Sequence, residues 1–195
     1  LSPSNMYEGE EWTVRDYAEG ARALRGTPMR VEVFAEDESE VAHLPYSVMH
    51  TSRSVRRLQP SLGDRRRGRF LAVPDTTYTY ACERDVAAPP RLTQEVSIEV
   101  DTFGVAIRTC SVAYGNRASS EAQQVDSVAI VKDVGVVHAG FDAWYRIAVP
   151  VSSRSWTFSG FDALWDGGPP VSPTHLRSAL ASVQPTDAAV LAASK

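Results

Sequence analysis

The spacing of apolar residues changes character close to residue 29. Over residues 10–25 the apolar positions recur at helical spacing, and Gly26 and Pro28 follow where a helix would end. Over residues 29–158, short runs rich in Val, Ile, Thr, Tyr and Phe alternate with polar residues, and Gly, Pro, Asp and Asn interrupt them. The pattern predicts one amphipathic helix followed by a long β region. The helix residues expected to face the core are Val14, Tyr17, Ala18, Ala21 and Leu24.

Ten short strands are predicted in the β region. They cover residues 29–35, 46–51, 54–59, 69–73, 76–84, 91–101, 105–114, 123–132, 143–149 and 153–158. The clearest unit is a hairpin in which Val96 and Ile98 alternate with Ser97 and Glu99 before a turn at residues 101–104. A lone hairpin is marginally stable, so this one is expected to join a larger sheet.

The strand signal ends after Gly160, and residues 166–173 (DGGPPVSP) form a turn-rich linker. Ser172 and Pro173 are typical of a helix start, and Leu176, Leu180 and Val183 follow at helical spacing. The expected fold is mainly β, with antiparallel hairpins in a twisted sheet, an N-terminal helix and a short C-terminal helix. The expected division is an N-terminal helical segment over 1–28, the β region over 29–165, and a linker with a short helix over 166–195.

Composition and charge exclude several classes of function. The chain has 195 residues with 43% hydrophobic and 23% charged side chains, which is typical of a folded chain of one domain or slightly more. A net charge of −4 gives no positive field to gather nucleic acid or an anionic membrane. No apolar run approaches the ~20 residues of a membrane helix. The start at Leu1 without a signal-peptide pattern is typical of an internal region.

Two local features add to this picture. Seven arginines crowd residues 53–69, close after an acidic run, and are interpreted as surface charges, with phosphate binding by residues 65–67 as the alternative. These arginines are Arg53, Arg56, Arg57, Arg65, Arg66, Arg67 and Arg69. Cys82 and Cys110 both lie in predicted strands, and free thiols are favoured over a disulfide because frameworks of disulfides use more cysteines.

The sequence contains few residues in patterns that carry chemistry. No histidine stands in an HxxxH or CxxC context, no serine in a GxSxG motif, and no glycine-rich phosphate loop occurs. We therefore predict no catalytic, metal or cofactor-binding residues. One hypothesis to the contrary pairs His138 with Asp142 as acid and base of a hydrolase. The alternative places both residues in a turn between two strands.

Aromatic residues cluster in the C-terminal third of the chain. They are Trp144, Tyr145, Trp156, Phe158, Phe161 and Trp165. One hypothesis makes Trp144, Tyr145, Trp156 and Trp165 the candidate partner-contact residues of a binding module for a glycan or a cell-surface protein, since exposed Trp and Tyr dominate interface hot spots. The alternative is that these side chains fill the core between sheet and helix.

The order of short motifs carries a family resemblance. A helix ending in ALRG precedes a VEVFA strand, then PYSV, VRRLQP, YTYACERD and the EVDTFG hairpin closed by AYG. Over about residues 10–160, this series resembles the middle to C-terminal region of the B component of bacterial insecticidal toxin complexes, of the TcdB/SpvB-like type. The hairpin is also similar to the Tyr-Asp repeats of Rhs proteins, but Phe and an Asp-Thr pair stand where Tyr-Asp would begin a repeat.

The resemblance implies an architectural role. In that family the B and C components build a hollow β-stranded shell around a toxic C-terminal fragment, and a β-propeller of the B component docks on a channel-forming A component. This segment resembles neither the propeller, the self-cleaving region nor the toxic domain, so the resemblance implies a wall segment without catalysis. The implied partners are the rest of its own B component chain, the C component and, indirectly, the A component. The implied location is a secreted, extracellular complex.

Overall fold

One antiparallel sheet of seven strands and two helices forms the described part of the chain. The computed structural model describes residues 12–61, 67–85, 89–115, 125–141, 144–158 and 170–181. The helices are α1 (Val14–Ala23) and α2 (Pro173–Leu180). The strands are β1 (Arg30–Val33), β2 (Ser47–Gln59), β3 (Arg69–Ala81), β4 (Arg91–Val100), β5 (Ala106–Ala113), β6 (Val128–Phe141) and β7 (Trp144–Phe158).

The strands lie in the sheet in the same order as in the chain. Each of the six neighbouring pairs, from β1–β2 to β6–β7, is antiparallel. The sheet is open, with β1 at one end and β7 at the other. The prediction of a mainly β, antiparallel fold is confirmed. The hairpin with its turn after Val100 is also confirmed, because Asp101 N–H donates to the Val105 carbonyl at 2.9 Å.

The predicted breaks inside β2 and β3 are wrong. Residues 46–51 and 54–59 belong to one strand, as do residues 69–73 and most of 76–84. Ser52 pairs with Thr76 and Arg53 pairs with Pro74, so Asp75 is an extra residue on β3. This bulge accommodates Pro74, which lacks an N–H for the regular ladder.

The predicted end of β6 at residue 132 and the predicted break in β7 are also wrong. The sequence predicts two strands over residues 143–149 and 153–158, but Trp144–Phe158 is the single strand β7, and β6 continues to Phe141. Gly135 pairs with Ser152 and Val136 pairs with Pro150, so Val151 is the extra residue of a second bulge. Pro150 is tolerated because β7 is the end strand of the described sheet, where one row of N–H groups faces no other described strand.

Helix α1 forms where the sequence predicts it, but it buries the opposite face. Thr13 caps the helix, and its hydroxyl and the Asp16 side chain form a reciprocal capping box. The predicted core residues Val14 and Tyr17 are 88% and 50% exposed. The buried residues of the helix are Asp16, Glu19 and Gly20. The prediction from helical periodicity is therefore wrong about which face packs on the sheet.

Polar contacts with the β2–β3 hairpin explain why α1 buries its polar face. The Asp16 carboxylate accepts hydrogen bonds from the Arg57 guanidinium at 3.1 Å and from the Ser61 hydroxyl at 3.0 Å. Glu19 accepts from the Gly68 N–H and shares the single hydroxyl proton of Ser61 with Asp16. The two carboxylates thus hold both described ends of the β2–β3 connection against α1. Buried charges require hydrogen-bond partners. Here the carboxylates of α1 and the donors of the β2–β3 connection satisfy each other.

Helix α2 covers the main apolar core, as predicted for Leu176 and Leu180, which are 0% and 1% exposed. Val183 lies outside the described residues. Both leucines belong to a buried cluster with residues of β4, β5, β6 and β7. The other members of the cluster are Val96, Cys110, Val112, Ala129, Val131, Trp156 and Val171. The cluster therefore joins four strands and α2 into one packed unit.

A buried hydrogen-bond network fixes the entry to α2. The Gln94 side chain is fully buried and donates to the Val171 carbonyl at 3.0 Å. The Tyr114 hydroxyl donates to the Gln94 side-chain oxygen and accepts from the Val171 N–H at 2.9 Å. Both backbone groups of Val171 are thereby satisfied inside the core.

The two helices lie on opposite faces of the sheet. Ser52 pairs with Thr76, and Thr76 pairs with Val96 under α2, so these three residues share one face. Val55 follows Ser52 by three residues in a regular strand and therefore points to the other face. A Cβ added at Gly20 of α1 would lie 3.5 Å from Val55, which places α1 on that second face.

We predict that Asp16→Asn destabilises the chain by about 2 kcal/mol, because the buried Arg57 loses its charged partner. Burial by itself would raise the pKa of Asp16, but hydrogen bonds from Thr13 and Ser61 outweigh it and lower the pKa to about 2. A depressed folded-state pKa stabilises the fold above the unfolded value near ~4, and the stabilisation is lost as the pH falls towards 2.

Urea unfolding of both proteins at several pH values measures this effect. The exposed Asp126 provides the matched control, since Asp126→Asn should leave the unfolding free energy unchanged at neutral pH. An Asp16→Asn protein as stable as the parent would show that the charge of Asp16 contributes nothing to folding.

Candidate functional site

The proposed aromatic contact residues occupy different environments. Tyr145, on β7 opposite Gly140, is 67% exposed. Trp156, on the same strand opposite Val131, is 3% exposed. Eleven residues of extended strand separate the two by about 35 Å, so they do not share one patch. Trp165 and the side chain of Trp144 lie outside the described residues, as do Phe161 and the Phe158 side chain.

Trp156 is part of the core beneath α2. It packs in the same buried cluster as Val131, Leu176 and Leu180. The Arg108 guanidinium lies 5.8 Å from the centre of its indole ring. Its burial leaves almost no indole surface for an external partner, whereas Tyr145 is accessible. Contact of a partner with Tyr145 stays a prediction.

His138 lies within strand β6 and not in a turn, which corrects the alternative interpretation of its neighbourhood. Its imidazole Nε2 is 2.7 Å from the Asp101 carboxylate, in the turn between β4 and β5. Its Nδ1 accepts the Ala148 N–H of β7 at 3.1 Å. Phe103 stacks on the ring with 4.2 Å between centroids. The site thus joins three segments that are distant in sequence.

Asp101 is the centre of this arrangement. Its carboxylate accepts the N–H groups of Phe103 and Val105 at 2.9 and 2.8 Å, and its carbonyl accepts the Arg56 guanidinium at 2.7 Å. Burial by itself would raise the pKa of Asp101, but the hydrogen bonds from Val105 and His138 lower it overall. Asp101 is therefore ionised at neutral pH and serves as an acceptor.

The geometry of His138 does not favour acid–base catalysis. A general base needs a ring nitrogen within reach of a substrate proton, and both nitrogens of His138 are engaged with Asp101 and Ala148. Asp142, the other half of the hydrolase hypothesis, lies outside the described residues. Sequence reasoning missed Asp101 as the partner because it lies 37 residues from His138. Only its place in a predicted turn marked it in the sequence.

An open groove of about 290 Å³ at the sheet surface is lined by four charged residues. Arg108 and Asp133 form a bidentate ion pair there, at 2.7 and 2.9 Å, and Glu99 and Arg154 line the same groove. Hydrogen bonding to Asp133 raises the pKa of Arg108. Arg108 also donates to the Leu180 carbonyl at the end of α2. The ion pair therefore holds the helix on the sheet, which is a structural use of these charges.

Metal, membrane and phosphate sites are the remaining possibilities in the described ranges. There, no group of three or more His, Cys, Asp or Glu residues is placed to hold a metal ion. Among those same residues, no helix is long and apolar enough to cross a membrane. In the arginine-rich stretch, Arg57 is only 7% exposed and contacts Asp16, so it is not the surface charge interpreted from the sequence. Arg56 contacts the Asp101 carbonyl. Arg65 and Arg66 lie outside the described residues.

The two cysteines are free, as predicted. Cys82 is half-buried just after β3. Cys110 is fully buried in the core on β5, and burial raises the pKa of its thiol to about 11. Cys110 therefore acts as a small apolar core residue.

The described fold is that of a mainly β segment, whose polar clusters serve to connect its elements. The family described as "Insecticide toxin TcdB middle/C-terminal region" matches residues 19–144, which is more than half of the chain. The chain belongs to this family. It is a region of the TcdB-like B component of insecticidal toxin complexes, which confirms the resemblance inferred from the sequence motifs.

Solved structures of toxin complexes share the fold. A crystal structure of TcdB2-TccC3 without the hypervariable C-terminal region matches with a TM-score of 0.67 at 24% identity over 85% of this chain. A crystal structure of TcdB2-TccC3 matches with a TM-score of 0.63 at 24% identity over 78%. The Photorhabdus luminescens Tc holotoxin pore matches with a TM-score of 0.65 at 22% identity over 85%. At sequence identities below 25%, this similarity shows a shared fold and nothing further.

The chain spans only 8% of the length of each of these structures' chains. A comparison with curated proteins finds no match.

We predict that the two thiols differ sharply in reactivity. Because the thiolate is the reactive form, a pKa of about 11 leaves about one Cys110 in a thousand ionised at pH 8, and burial excludes the reagent as well. Brief iodoacetamide treatment should therefore modify Cys82 and leave Cys110 intact. Peptide mass spectrometry reads this out, and treatment in urea, which should label both residues, is the control. Rapid labelling of Cys110 in the folded chain would contradict its place in the core.

Proposed function

We propose that the chain is a non-catalytic segment of the wall of a toxin-complex B component and helps to form the hollow β-shell around a toxic cargo. The observation that carries the proposal is the open sheet of a chain that belongs to the TcdB family. Its strands follow one another in chain order, so a further strand can be added at either end. An enclosing wall requires this property of each of its segments.

Exposed apolar surface at the ends of the sheet supports the proposal. Val31 and Val33 of β1 are 38% and 49% exposed, and Val151 of β7 is 62% exposed. The outer edges of β1 and β7 have no strand partner among the described residues. Such edges and patches are usual where another part of an assembly packs.

The proposed partners follow from the complexes that share the fold. Those complexes are TcdB2 with TccC3 and a Tc holotoxin pore. For this chain we propose the rest of its own B component as the first partner, the C component as the second, and the channel-forming A component as an indirect one. The proposed location is that of a secreted, extracellular toxin complex.

The proposal of a wall segment without catalysis is supported by how the charged residues are used. The clusters around Asp16, Asp101 and Arg108 each bond to backbone groups or to the ends of helices and turns. A stand-alone binding module is less favoured, because Trp156 is buried beneath α2 and the aromatic residues are spread along β7.

We expect the isolated chain to associate through its sheet edges. Size-exclusion chromatography with light scattering should show an apparent mass that rises with concentration. Val151→Lys on β7 should reduce the association, because a lysine on an end strand opposes edge-to-edge pairing. Val14→Lys, at a still more exposed position on α1, is the matched control and should have little effect. A parent chain that stays monomeric at all concentrations would contradict the proposed open edges.

We also expect that a charged residue introduced into the core of this segment will make the proposed shell permeable to protease. In a reconstituted B–C complex of the longer protein, Val131→Asp should expose the enclosed C-terminal fragment to added protease, because Val131 is 1% exposed within the main core. Ile130→Asp changes the adjacent, 45% exposed residue and should leave the fragment protected. Equal protection of the fragment in both variants would show that this segment is not part of the wall.

A further inference from the structure

We propose that His138 is a proton-sensitive latch, whose neutral imidazole holds the outer end of the β6–β7 hairpin and whose protonation releases it. This inference concerns the chain itself and does not depend on the proposed wall function. It rests on the position of the ring opposite a strained bulge and on the different roles of its two nitrogens.

The ring of His138 accepts a hydrogen bond from a backbone N–H of β7 that lies outside the regular strand pairing. Val137 pairs with Val149 and Ala139 pairs with Arg146, so two residues of β7, Ile147 and Ala148, face His138 alone. Such a bulge leaves its extra residue out of the hydrogen-bond ladder. The Ala148 N–H instead donates to His138 Nδ1 at 3.1 Å.

The bulge is under backbone strain, so it needs a contact to hold it. Ala148 has φ of 58°, in the left-handed region that a residue with a Cβ adopts only at an energetic cost. The surrounding structure must compensate this cost. The hydrogen bond from the Ala148 N–H to the imidazole is the side-chain contact that fixes the strained residue.

The hydrogen bonds define which nitrogen carries the proton. Nδ1 faces the Ala148 N–H and must be an acceptor. Nε2 lies 2.7 Å from the Asp101 carboxylate, which can only accept when ionised, so Nε2 carries the hydrogen. The neutral ring with its proton on Nε2 therefore satisfies both neighbours at once.

Protonation changes the two contacts in opposite directions. The charged imidazole carries a hydrogen on both nitrogens, so Nδ1–H would point at the Ala148 N–H and that hydrogen bond would be lost. The contact of Nε2–H with the Asp101 carboxylate would persist as an ion pair. The ring would therefore stay on the β4–β5 turn while the strained bulge of β7 is released. Histidine is the side chain that changes charge between about pH 5 and 8.

The charged groups on the packed elements have other partners or can only donate hydrogen bonds. Asp101 in the β4–β5 turn already accepts from Phe103 and Val105. Arg56 of β2 donates to the Asp101 carbonyl, and Arg146 of β7 lies opposite Ala139. Guanidinium groups only donate hydrogen bonds, so they cannot accept the Ala148 N–H.

The released end is the exposed part of the end strand. Tyr145, close to the bulge, is 67% exposed, and Ile147, within the bulge, is 41% exposed. Loss of the Ala148 hydrogen bond would therefore loosen the part of β7 that is open to another strand or partner. The latch would couple the order of this edge to the pH of the surroundings.

Amide hydrogen exchange of the 195-residue chain, followed by NMR between about pH 7.5 and pH 5, tests the proposal. Protection factors, taken relative to intrinsic exchange rates, remove the direct effect of pH. We expect the protection of Ala148 to fall about tenfold as His138 is protonated, the effect of one lost hydrogen bond. The protection of Phe103 and Val105 should not fall, because their bonds to Asp101 remain.

Two matched variants separate the two nitrogens. His138→Asn places a non-titrating acceptor near the position of Nδ1, so the protection of Ala148 should no longer depend on pH. His138→Gln places an amide donor near the position of Nε2, so Ala148 should be unprotected throughout. His175→Asn, at an exposed position of α2, is the control and should keep the response of the parent chain.

The titration of the parent chain decides the matter even if a variant fails to fold. Imidazole ¹⁵N shifts report which nitrogen carries the proton. A neutral ring protonated at Nδ1 would overturn the proposal. So would a protection of Ala148 that stays constant while His138 becomes charged, or a His138 that stays neutral over the whole pH range.

Discussion

The pairing of each strand with its neighbours in sequence is the constraint on which this structure depends. Seven consecutive strands satisfy their backbone groups in pairs, and the two end strands keep one open edge each within the described residues. A sheet built in this way buries its faces only where helices cover them. Helix α2 covers the face of β4 to β7, and α1 covers part of the other face at β2 and β3.

Buried polar residues occur where one element must be attached to another. Asp16 attaches α1 to the β2–β3 connection, Gln94 fixes the entry of α2, and Arg108 bonds to its end. His138 and Asp101 attach the β4–β5 turn to the far end of the β6–β7 hairpin. In each case the polar group satisfies backbone donors or acceptors that the regular ladders leave unbonded, which is the usual condition for burying it.

This use of polar residues bears directly on function. An enzyme of this size would bring reactive groups to a concave site, with free lone pairs or protons directed at a substrate. Here the ring nitrogens of His138 and the guanidinium of Arg108 are engaged with the protein itself. The family of the chain and its open sheet edges support a role in enclosure, in which the sequence is selected for pairing and packing.

Local sequence patterns determined much of the fold and little of the site. The hairpin over residues 95–115, the caps of both helices and the burial of Leu176 follow from residues close together in the chain. Tertiary structure decided that β2, β3 and β7 run through their apparent breaks, because a bulge is defined only against a partner strand. It also decided that α1 buries Asp16, and that His138 meets Asp101 and a strained Ala148. These contacts join residues far apart in sequence, and their energy depends on distance in space, which no local pattern contains.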